Sequence, residues 1–440
     1  MRRSERPGAI VHVPKSSLKV LIVGGGGREH ALAWRCRVEG HEVHAAPGSD
    51  GIAEDAICHA VGVGDLAGQV ALADALRPDL VIVGPEQPLV DGLADRLRAA
   101  GHAVFGPSAA AAELEGSKAV AKAFMARHAI PTAAHVTVTG LGEALAAVRS
   151  FASPPVIKAS GLAAGKGVVV PESFEEAELA VRSCLEGHVF GDAGATVVLE
   201  ERLHGEEASL FVLTDGERWS LLPPAQDHKR LRDGDEGPNT GGMGAYCPAP
   251  VCDAAVLRRA ELEIVGPTLA GLRAEGRRFV GVLFVGLMIA PDGAPKVIEY
   301  NCRFGDPEAQ PVLFGLQTPI VADLLAAARG ELTPRTYAAA PAASVVVAAA
   351  GYPGETRPGA AIRGLETVAE LAEVKVFHAG TRRGALGWET RGGRVLGVCA
   401  RGVDLRAAIE RAYAALADIE VEGGQFRRDI GVRALTRRAE

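Results

Sequence analysis

The residues of this chain best suited to chemistry lie in one short segment, residues 296–308. Glu299 and Asn301 are two positions apart, and in an extended strand that spacing puts both side chains on one face. A carboxylate and an amide oxygen side by side suit a hard divalent cation such as Mg²⁺. Arg303 follows just past the end of the predicted strand. The alternative is a half-buried strand whose polar residues only face solvent.

A glycine-rich loop over residues 161–167 carries charge that suits a nucleotide. A Walker motif is excluded because Gly167 follows Lys166, where that motif requires Ser or Thr. The loop lies between two predicted strands and would fold over phosphates as a lid, with Lys158 on the entering strand. Lys118 supplies another ammonium group. For any single lysine, a solvated side chain is the alternative.

A glycine run over residues 24–27 follows the first predicted strand and precedes a helix. Free N–H groups at a helix N-terminus can bind a phosphate, and Arg28 would add positive charge. A dinucleotide fingerprint is disfavoured because Glu29 occupies its third glycine position and the second strand does not end in Asp or Glu. A tight turn without a ligand is the alternative.

Two further segments have the composition of ligand sites. Glu200 and Glu201 end a β-branched strand where the chain would cross between lobes, and backbone groups at such a hinge can pair with an adenine edge. Glu207 could bond ribose hydroxyls, although an acidic surface is the alternative. The polar stretch over residues 227–246 is too long for an idle turn. Its charged and amide side chains suit a small charged substrate, and a lid without direct contact is the alternative.

The predicted elements that must position these residues indicate an α/β fold. A chain of 440 residues, 48% hydrophobic and 23% charged, is globular and predicts two to four domains. Strands alternate with helices over residues 18–117, as in a parallel, doubly wound sheet. A small α/β lobe follows over about 135–207, then two hairpins and a long helix over 253–275. The last hundred residues are predicted to form a separate domain.

Composition excludes several classes of protein. A net charge of −7 gives no electrostatic support for nucleic-acid binding. Seven cysteines without a C-x-x-C pair favour neither a disulfide framework nor a zinc site, and predict a reducing, cytoplasmic location. The longest apolar run, residues 279–291, is too short to cross a bilayer. Residues 1–17 lack the apolar core of a signal peptide and are predicted to be a flexible extension.

Taken together, these segments resemble the phosphoribosylamine–glycine ligase family of the ATP-grasp superfamily. The resemblance covers about residues 18–435 and rests on seven stretches. They are VLIVGGGGREHALAW (20–34), GPEQPLVDGLAD (84–95), KASGLAAGKGVVV (158–170), LEERLHGEEASL (199–210), AQDHKR (225–230), GPNTGGMGAY (237–246) and VIEYNCRFGDPEAQP (297–311). Other ATP-grasp enzymes share the glycine loop but not this set.

The resemblance implies a fold and a reaction. The fold would have a Rossmann-like N-terminal domain (18–117), an ATP-grasp domain (118–338) with a mobile lobe (about 135–207), and a small C-terminal α/β domain (339–440). The reaction would join glycine to 5-phosphoribosylamine through glycyl phosphate, with ATP split to ADP and phosphate. It is the second step of de novo purine synthesis.

The resemblance also implies roles for individual residues. Mg²⁺ or Mn²⁺ would be held by Glu299 and Asn301. The residues implied to take part in catalysis are Arg303, Lys158 and Asp227. Those implied to bind ATP are Lys118, Lys158, Gly165, Lys166, Gly167, Glu200, Glu201 and Glu207. Those implied to line the phosphoribosylamine and glycine sites are Gly26, Gly27, Arg28, Glu29, Asp227, His228, Lys229, Asn239 and Arg303.

Two other readings of the function stay open at this level. One is another ATP-grasp carboxylate–amine ligase or carboxylase, acting on a different acid. The other is a nucleotide-binding regulator without turnover. In every case the expected partners are small molecules rather than nucleic acid or membrane, and we expect a monomer or a weak homo-oligomer.

Overall fold

A computed structural model of the chain describes residues 17–163, 167–187, 189–385 and 387–437. Of the predicted extension over residues 1–17, only Ser17 belongs to these ranges, and Gly165 and Lys166 lie outside them. Within the ranges the chain is a mixed α/β protein, which confirms the predicted fold class. None of its described helices is both long and apolar enough to span a lipid bilayer.

The N-terminal part is a five-stranded parallel sheet of order β3-β2-β1-β4-β5 with helices packed around it. Its strands are β1 (Lys19–Gly24), β2 (Glu42–Pro47), β3 (Ile57–Cys58), β4 (Leu80–Val83) and β5 (Val104–Phe105). Its helices are α1 (Gly27–Val38), α2 (Leu66–Leu76), α3 (Glu86–Val90), α4 (Leu93–Ala99) and α5 (Ala109–Gly116). The chain turns between α3 and α4 at Gly92, whose φ is 85°.

The following lobe has its own antiparallel sheet, of order β6-β9-β7-β8. Its elements are α6 (Lys118–Arg127), β6 (His135–Val138), α7 (Leu141–Ser150), β7 (Val156–Ala159), β8 (Val168–Val169), α8 (Phe174–Leu185) and β9 (Val197–Glu200). One apolar cluster, which includes Val148, Val181 and Leu199, is built from lobe residues alone. The lobe therefore has a separate small core.

The central part contains an antiparallel sheet of order β11-β10-β16-β17. Its elements are β10 (Glu206–Thr214), β11 (Trp219–Leu221), β12 (Gln226–Asp227), β13 (Arg230–Arg232), β14 (Glu236–Asn239), β15 (Gly244–Cys247), α9 (Ala254–Ala260), α10 (Gly266–Ala274), β16 (Gly281–Ile289), β17 (Pro295–Asn301), α11 (Ala309–Gly315) and α12 (Val321–Arg329). A π-helical stretch, Glu261–Val265, joins α9 to α10. The long helix and both hairpins predicted from the sequence are present.

The C-terminal part adds two sheets. Its elements are β18 (Ala342–Ala348), β19 (Ala361–Arg363), α13 (Leu365–Ala369), β20 (Val374–His378), β21 (Thr381–Gly384), β22 (Gly387–Thr390), β23 (Arg394–Arg401), α14 (Leu405–Leu416), β24 (Glu420–Val421) and α15 (Val432–Thr436). One sheet has the order β21-β22-β19-β24, and the other has the order β12-β15-β18-β23-β20. The second sheet thus combines strands from both sides of the predicted boundary at residues 338 and 339.

The polar stretch over residues 227–246 is not the open loop that its composition predicts. It forms β13 and β14, which pair with each other, together with part of β12 and most of β15. β15 pairs with β18 of the C-terminal part, which lies about a hundred positions later in the chain. The backbone N–H and C=O groups of β15 therefore find hydrogen-bond partners in a distant part of the chain, which the local sequence does not reveal.

A register shift interrupts β17. Gly286 of β16 pairs with Glu299 and Leu287 with Val297, so Ile298 has no partner in the ladder. The simple alternation predicted for residues 296–301 is therefore wrong on one point. Strict alternation would put Val297 and Tyr300 on opposite faces of the strand. In the structure both side chains belong to the same apolar cluster, because the register shift lies between them.

Candidate active site

Two lysine side chains meet one carboxylate where the lobe contacts the central sheet. Glu200, at the end of β9, is 3% exposed, and its Oε2 atom lies 2.9 Å from Nζ of Lys158 and 3.0 Å from Nζ of Lys122. Burial lowers the pKa of Lys122 to about 8, although Glu200 opposes that shift. The Oε1 atom of Glu200 is buried without a hydrogen-bond partner among the described residues. This oxygen is therefore an unsatisfied acceptor in the interior of the site.

A third lysine and Glu299 extend this charged region towards β17. Lys118 begins α6, and its Nζ donates to the carbonyl of Gly161 at 3.2 Å. Burial lowers the pKa of Lys118, whereas the nearby carboxylate of Glu299 raises it. Lys158 also donates to the carbonyl of Ile298 at 3.2 Å, at the residue that the register shift leaves unpaired. The predicted phosphate-binding lysines therefore lie beside the predicted metal-binding strand.

Asn301 and Arg303 share a buried partner that lies in α5. The Nδ2 atom of Asn301 donates to Oε1 of Glu115 at 2.8 Å, and Nη2 of Arg303 donates to the same oxygen at 2.6 Å. Arg303 also donates from Nε to Glu86 at 3.1 Å. Burial alone would lower the pKa of Arg303, but Glu115 and Glu86 raise it above its ordinary value.

The predicted phosphate loop over residues 24–27 contacts the segment that follows β17. Glu29 caps α1, because its Oε2 accepts from the N–H of Gly26 at 2.7 Å. Arg28 pairs with Oε1 of Glu29 at 2.6 Å and donates from Nη1 to the carbonyl of Phe304 at 3.1 Å. A Cβ atom on Gly27 would lie 2.7 Å from Nε2 of Gln310. The first helix therefore begins against residues 304–310.

A second charged group surrounds Lys229, at the edge of the central sheet. Its Nζ lies 2.9 Å from Oδ1 of Asp227 and 3.0 Å from Oε2 of Glu207. Glu308 lies nearby, is 4% exposed, and accepts from Oγ of Ser209 at 3.0 Å. Burial raises the pKa of Glu308 to about 7, and Asp227 adds to the rise while Lys229 opposes it. Three carboxyl groups and one ammonium group therefore lie together here.

Some predicted site residues point elsewhere or lack a side-chain contact. His228 is 1% exposed, and its Nε2 accepts from the N–H of Gly431 at 3.0 Å. It therefore packs against the C-terminal part rather than beside Lys229. Glu201 is exposed and accepts from the N–H of Ala134 at 3.3 Å, and Asn239 ends β14 in register with Arg230. Gly167 accepts from Ala159 through its carbonyl at 2.8 Å.

Three family models match the chain in sequence. They are described as the N domain, the ATP-grasp (A) domain and the C domain of phosphoribosylglycinamide synthetase, over residues 18–115, 116–309 and 342–433. Phosphoribosylamine–glycine ligase of Escherichia coli strain K12 is 50% identical over 427 residues, which is 96% of this chain and 99% of that protein. The chain belongs to the phosphoribosylamine–glycine ligase family.

Other members of the phosphoribosylamine–glycine ligase family also match the chain. The Vibrio cholerae protein is 50% identical over 426 residues, with 96% of this chain and 99% of that protein covered. The crystal structure of the Thermotoga maritima enzyme has a TM-score of 0.82 at 34% identity, with 94% of this chain and all of that chain covered. A biotin carboxylase domain from Hydrogenobacter thermophilus has a TM-score of 0.71 at 18% identity over 93% and 91% of the two chains. That more distant likeness shows the ATP-grasp fold alone.

For this family member, sequence reasoning missed several charged residues that the fold brings to the site. They are Glu86, Glu115, Lys122 and Glu308. Two of them lie inside stretches already noted, since Glu86 belongs to GPEQPL and Glu308 to the segment after β17. Lys122 is one helical turn from Lys118, and this spacing could have predicted that both ammonium groups lie on the same face of α6. Glu115 gave none, because nothing local connects α5 with the end of β17.

Proposed function

We propose that this chain joins glycine to 5-phosphoribosylamine, with ATP split to ADP and phosphate, through a glycyl phosphate intermediate. The observation that carries the proposal is the contact between Lys158 of the lobe and the carbonyl of Ile298 beside Glu299. Lys118 and Lys122 lie near the same strand, since the carboxylate of Glu299 raises the pKa of each. The product would be glycinamide ribonucleotide, in the second step of de novo purine synthesis.

The residue types match the chemistry of such a ligase. The carboxylate of glycine is a poor acyl donor, and transfer of the γ-phosphoryl group converts it to an acyl phosphate that an amine can attack. That transfer depends mainly on positioning and charge neutralisation. Lys118 and Lys158 would offset phosphate charge, and residues 161–167 would close over it. Exclusion of water protects an acyl phosphate from hydrolysis.

The donor set at β17 fits a divalent cation. Mg²⁺ is usually held by one or two carboxylates together with substrate phosphates, rather than by an all-protein cage. Among the described residues, no group of three or more His, Cys, Asp or Glu side chains is placed to hold a metal. Glu299 and Asn301 would supply the protein's oxygen ligands, for Mg²⁺ or Mn²⁺. The cation would neutralise charge on the terminal phosphates.

The remaining site residues divide between the two organic substrates and the nucleoside. Gly26, Gly27, Arg28 and Glu29 would line the phosphoribosylamine site with Arg303, where helix N–H groups and guanidinium charge suit a phosphate. Lys229 and its partner Asp227 would line the glycine site. Glu200 and Glu201 would contact adenine, and Glu207 would contact ribose.

Two further sets of residues would act on the phosphates and in catalysis. Gly165, Lys166 and Gly167 would cover the phosphates. Lys158, Asp227 and Arg303 would take part in catalysis.

The experiment that tests this function measures ADP release with 5-phosphoribosylamine present. We expect glycine to stimulate ADP release strongly, and alanine, formate and bicarbonate to have little effect. No stimulation by glycine would contradict the proposed substrate. Stimulation by bicarbonate instead would favour a carboxylase.

A variant separates a ligase from a nucleotide-binding regulator. We expect Glu299→Ala to lower turnover by two orders of magnitude or more, the size expected when a charge-stabilising group is removed. Nucleotide affinity should fall much less. Lys296→Ala, on the same strand, is the matched control and should keep turnover. Unchanged turnover in Glu299→Ala would overturn the metal assignment.

We also propose a cytoplasmic location and a monomer or weak homo-oligomer. All seven cysteines are free thiols, which suits a reducing compartment. The substrates proposed above are small metabolites rather than nucleic acid or lipid. Sedimentation of the purified protein at several concentrations would test the oligomeric state.

A further inference from the structure

The side chain of Glu115 joins the N-terminal part of the fold to the end of β17. It is 7% exposed, and both of its oxygens accept hydrogen bonds. Oε1 accepts from Nδ2 of Asn301 at 2.8 Å and from Nη2 of Arg303 at 2.6 Å. Oε2 accepts from the backbone N–H of Cys302 at 2.7 Å. One carboxylate therefore contacts three consecutive residues.

The helix that carries Glu115 also makes contacts that do not involve β17. Ser108 caps the start of α5, because its Oγ accepts from the N–H of Ala111 at 3.3 Å. Glu113, two positions before Glu115, is exposed and pairs with Arg277 at 2.9 Å. The helix therefore has an outward acidic residue and an inward one, and only the inward one reaches β17.

The contact determines which way the amide of Asn301 faces. A carboxylate oxygen that already accepts from Arg303 can face the NH₂ group of an amide but repels its carbonyl oxygen. The Nδ2 atom of Asn301 must therefore point at Glu115. The Oδ1 atom then points the other way, where no described residue donates to it.

We propose that Glu115 is a positioning residue for the cation site: it orients Asn301 so that Oδ1 is presented as a ligand, and it keeps Arg303 next to that ligand. The inference rests on the proposed function, because it assumes that Asn301 binds the cation. Groups that orient metal ligands typically change metal affinity or activity by about 10- to 100-fold when they are removed. Glu115 would be such a group supplied by a different part of the fold.

The direct test measures Mn²⁺ binding to the full chain in the presence of ATP, from the electron paramagnetic resonance signal of free Mn²⁺. Glycine and 5-phosphoribosylamine are left out, so that no turnover occurs and binding alone is measured. We expect Glu115→Gln to weaken Mn²⁺ binding by about 10-fold or more, since its NH₂ group would face one of three donors. Glu113→Gln, on the same helix, should bind Mn²⁺ like the unchanged protein.

A second variant covers the case in which Glu115→Gln does not fold. Glu115→Asp keeps the charge that faces Arg303 but shortens the reach to Asn301 by one methylene. We expect an intermediate loss of Mn²⁺ affinity. In an Asn301→Ala background, the same Glu115→Asp change should have no further effect on Mn²⁺ binding, because the ligand that it orients is gone. A merely structural role would give the same loss in both backgrounds.

The outcomes separate this inference from the proposed function. If the unchanged protein shows no glycine-dependent ADP release, the proposed function fails whatever Glu115 does. If that activity is present and a folded Glu115 variant binds Mn²⁺ normally, the positioning role is wrong. Equal losses in the Asn301 and Asn301→Ala backgrounds would also overturn it.

Discussion

Lys158 donates a hydrogen bond of 2.9 Å to Oε2 of Glu200, and both side chains are almost completely buried. Lys122 shares the same oxygen at 3.0 Å, so one carboxylate balances two ammonium groups. Removal of one partner from a buried ion pair leaves an uncompensated charge and costs about 3–5 kcal/mol. We therefore expect Glu200→Gln to lower the free energy of unfolding by about that amount, measured by urea denaturation.

The neighbouring residue offers a matched control for that change. Glu201 is exposed, and within the described part of the chain its carboxylate accepts a hydrogen bond from a backbone N–H alone. Glu201→Gln should alter the free energy of unfolding by no more than about 0.5 kcal/mol. Equal effects of the two substitutions would contradict the view that Glu200 is the common counterion.

A buried histidine should make stability depend on pH. Burial, together with the nearby His30, Lys375 and Arg383, lowers the pKa of His378 to about 3, although Asp55 opposes the shift. In the unfolded chain the pKa of this histidine is about 6.5, so the side chain binds a proton at pH values where the folded chain keeps it neutral. Stability should therefore fall as pH drops from 6.5 towards 3, by up to about 1.4 kcal/mol per pH unit for this group.

The substitution His378→Gln removes the group that binds this proton. The fall in the free energy of unfolding between pH 6 and pH 4 should therefore become shallower. Urea denaturation at several pH values measures the slope. His204→Gln, at an exposed position, should leave the slope unchanged. A slope that His378→Gln does not alter would show that other groups cause the acid sensitivity.

Glu308 should have the opposite pH dependence. Burial raises its pKa from 4.5 to about 7, so the folded chain holds a proton that the unfolded chain has lost. Its contribution to stability is complete below pH 4.5 and is lost as pH rises through 7. Glu308→Gln keeps an acceptor for Ser209 without the charge. We expect it to be more stable than the unchanged protein at pH 8, by about 1–3 kcal/mol, and not at pH 4.5.

An exposed carboxylate serves as the control for Glu308. Glu217 lies at the surface of the β10–β11 turn, and Glu217→Gln should show no such gain at pH 8. If Glu308→Gln is less stable than the unchanged protein at both pH values, the buried carboxyl group is not held protonated.

The proposed phosphate loop, residues 24–27, should not tolerate a side chain at Gly25. A Cβ atom there would lie 2.5 Å from the backbone oxygen of Gly48, and backbone cannot move aside as a flexible side chain can. We expect Gly25→Ala to cost about 1–3 kcal/mol of stability and to raise KM for 5-phosphoribosylamine more than KM for ATP. Gly62→Ala, with open space around its Cβ position, should have neither effect. Equal changes in both KM values would mean that the loop does not bind phosphoribosylamine.

The sequence by itself determined the class of the fold and the main chemical groups. Alternation of strands and helices over residues 18–117 predicted the parallel sheet, and both central hairpins were predicted from turn residues and apolar runs. Glu299 and Asn301 could be predicted as cation ligands because strand periodicity and ligand chemistry are both local properties. The contact of Lys158 with β17 could not be predicted, because it depends on how the lobe packs against the central sheet.

Only the tertiary structure decided which groups meet. Asn301 and Glu115 are 186 positions apart, and β15 pairs with β18 across about a hundred residues. The shift at Ile298, which frees a carbonyl for Lys158, arises between two strands and leaves no trace in either one alone. The physical reason is that local patterns specify the elements, whereas burial of their apolar faces against one another brings distant charges together.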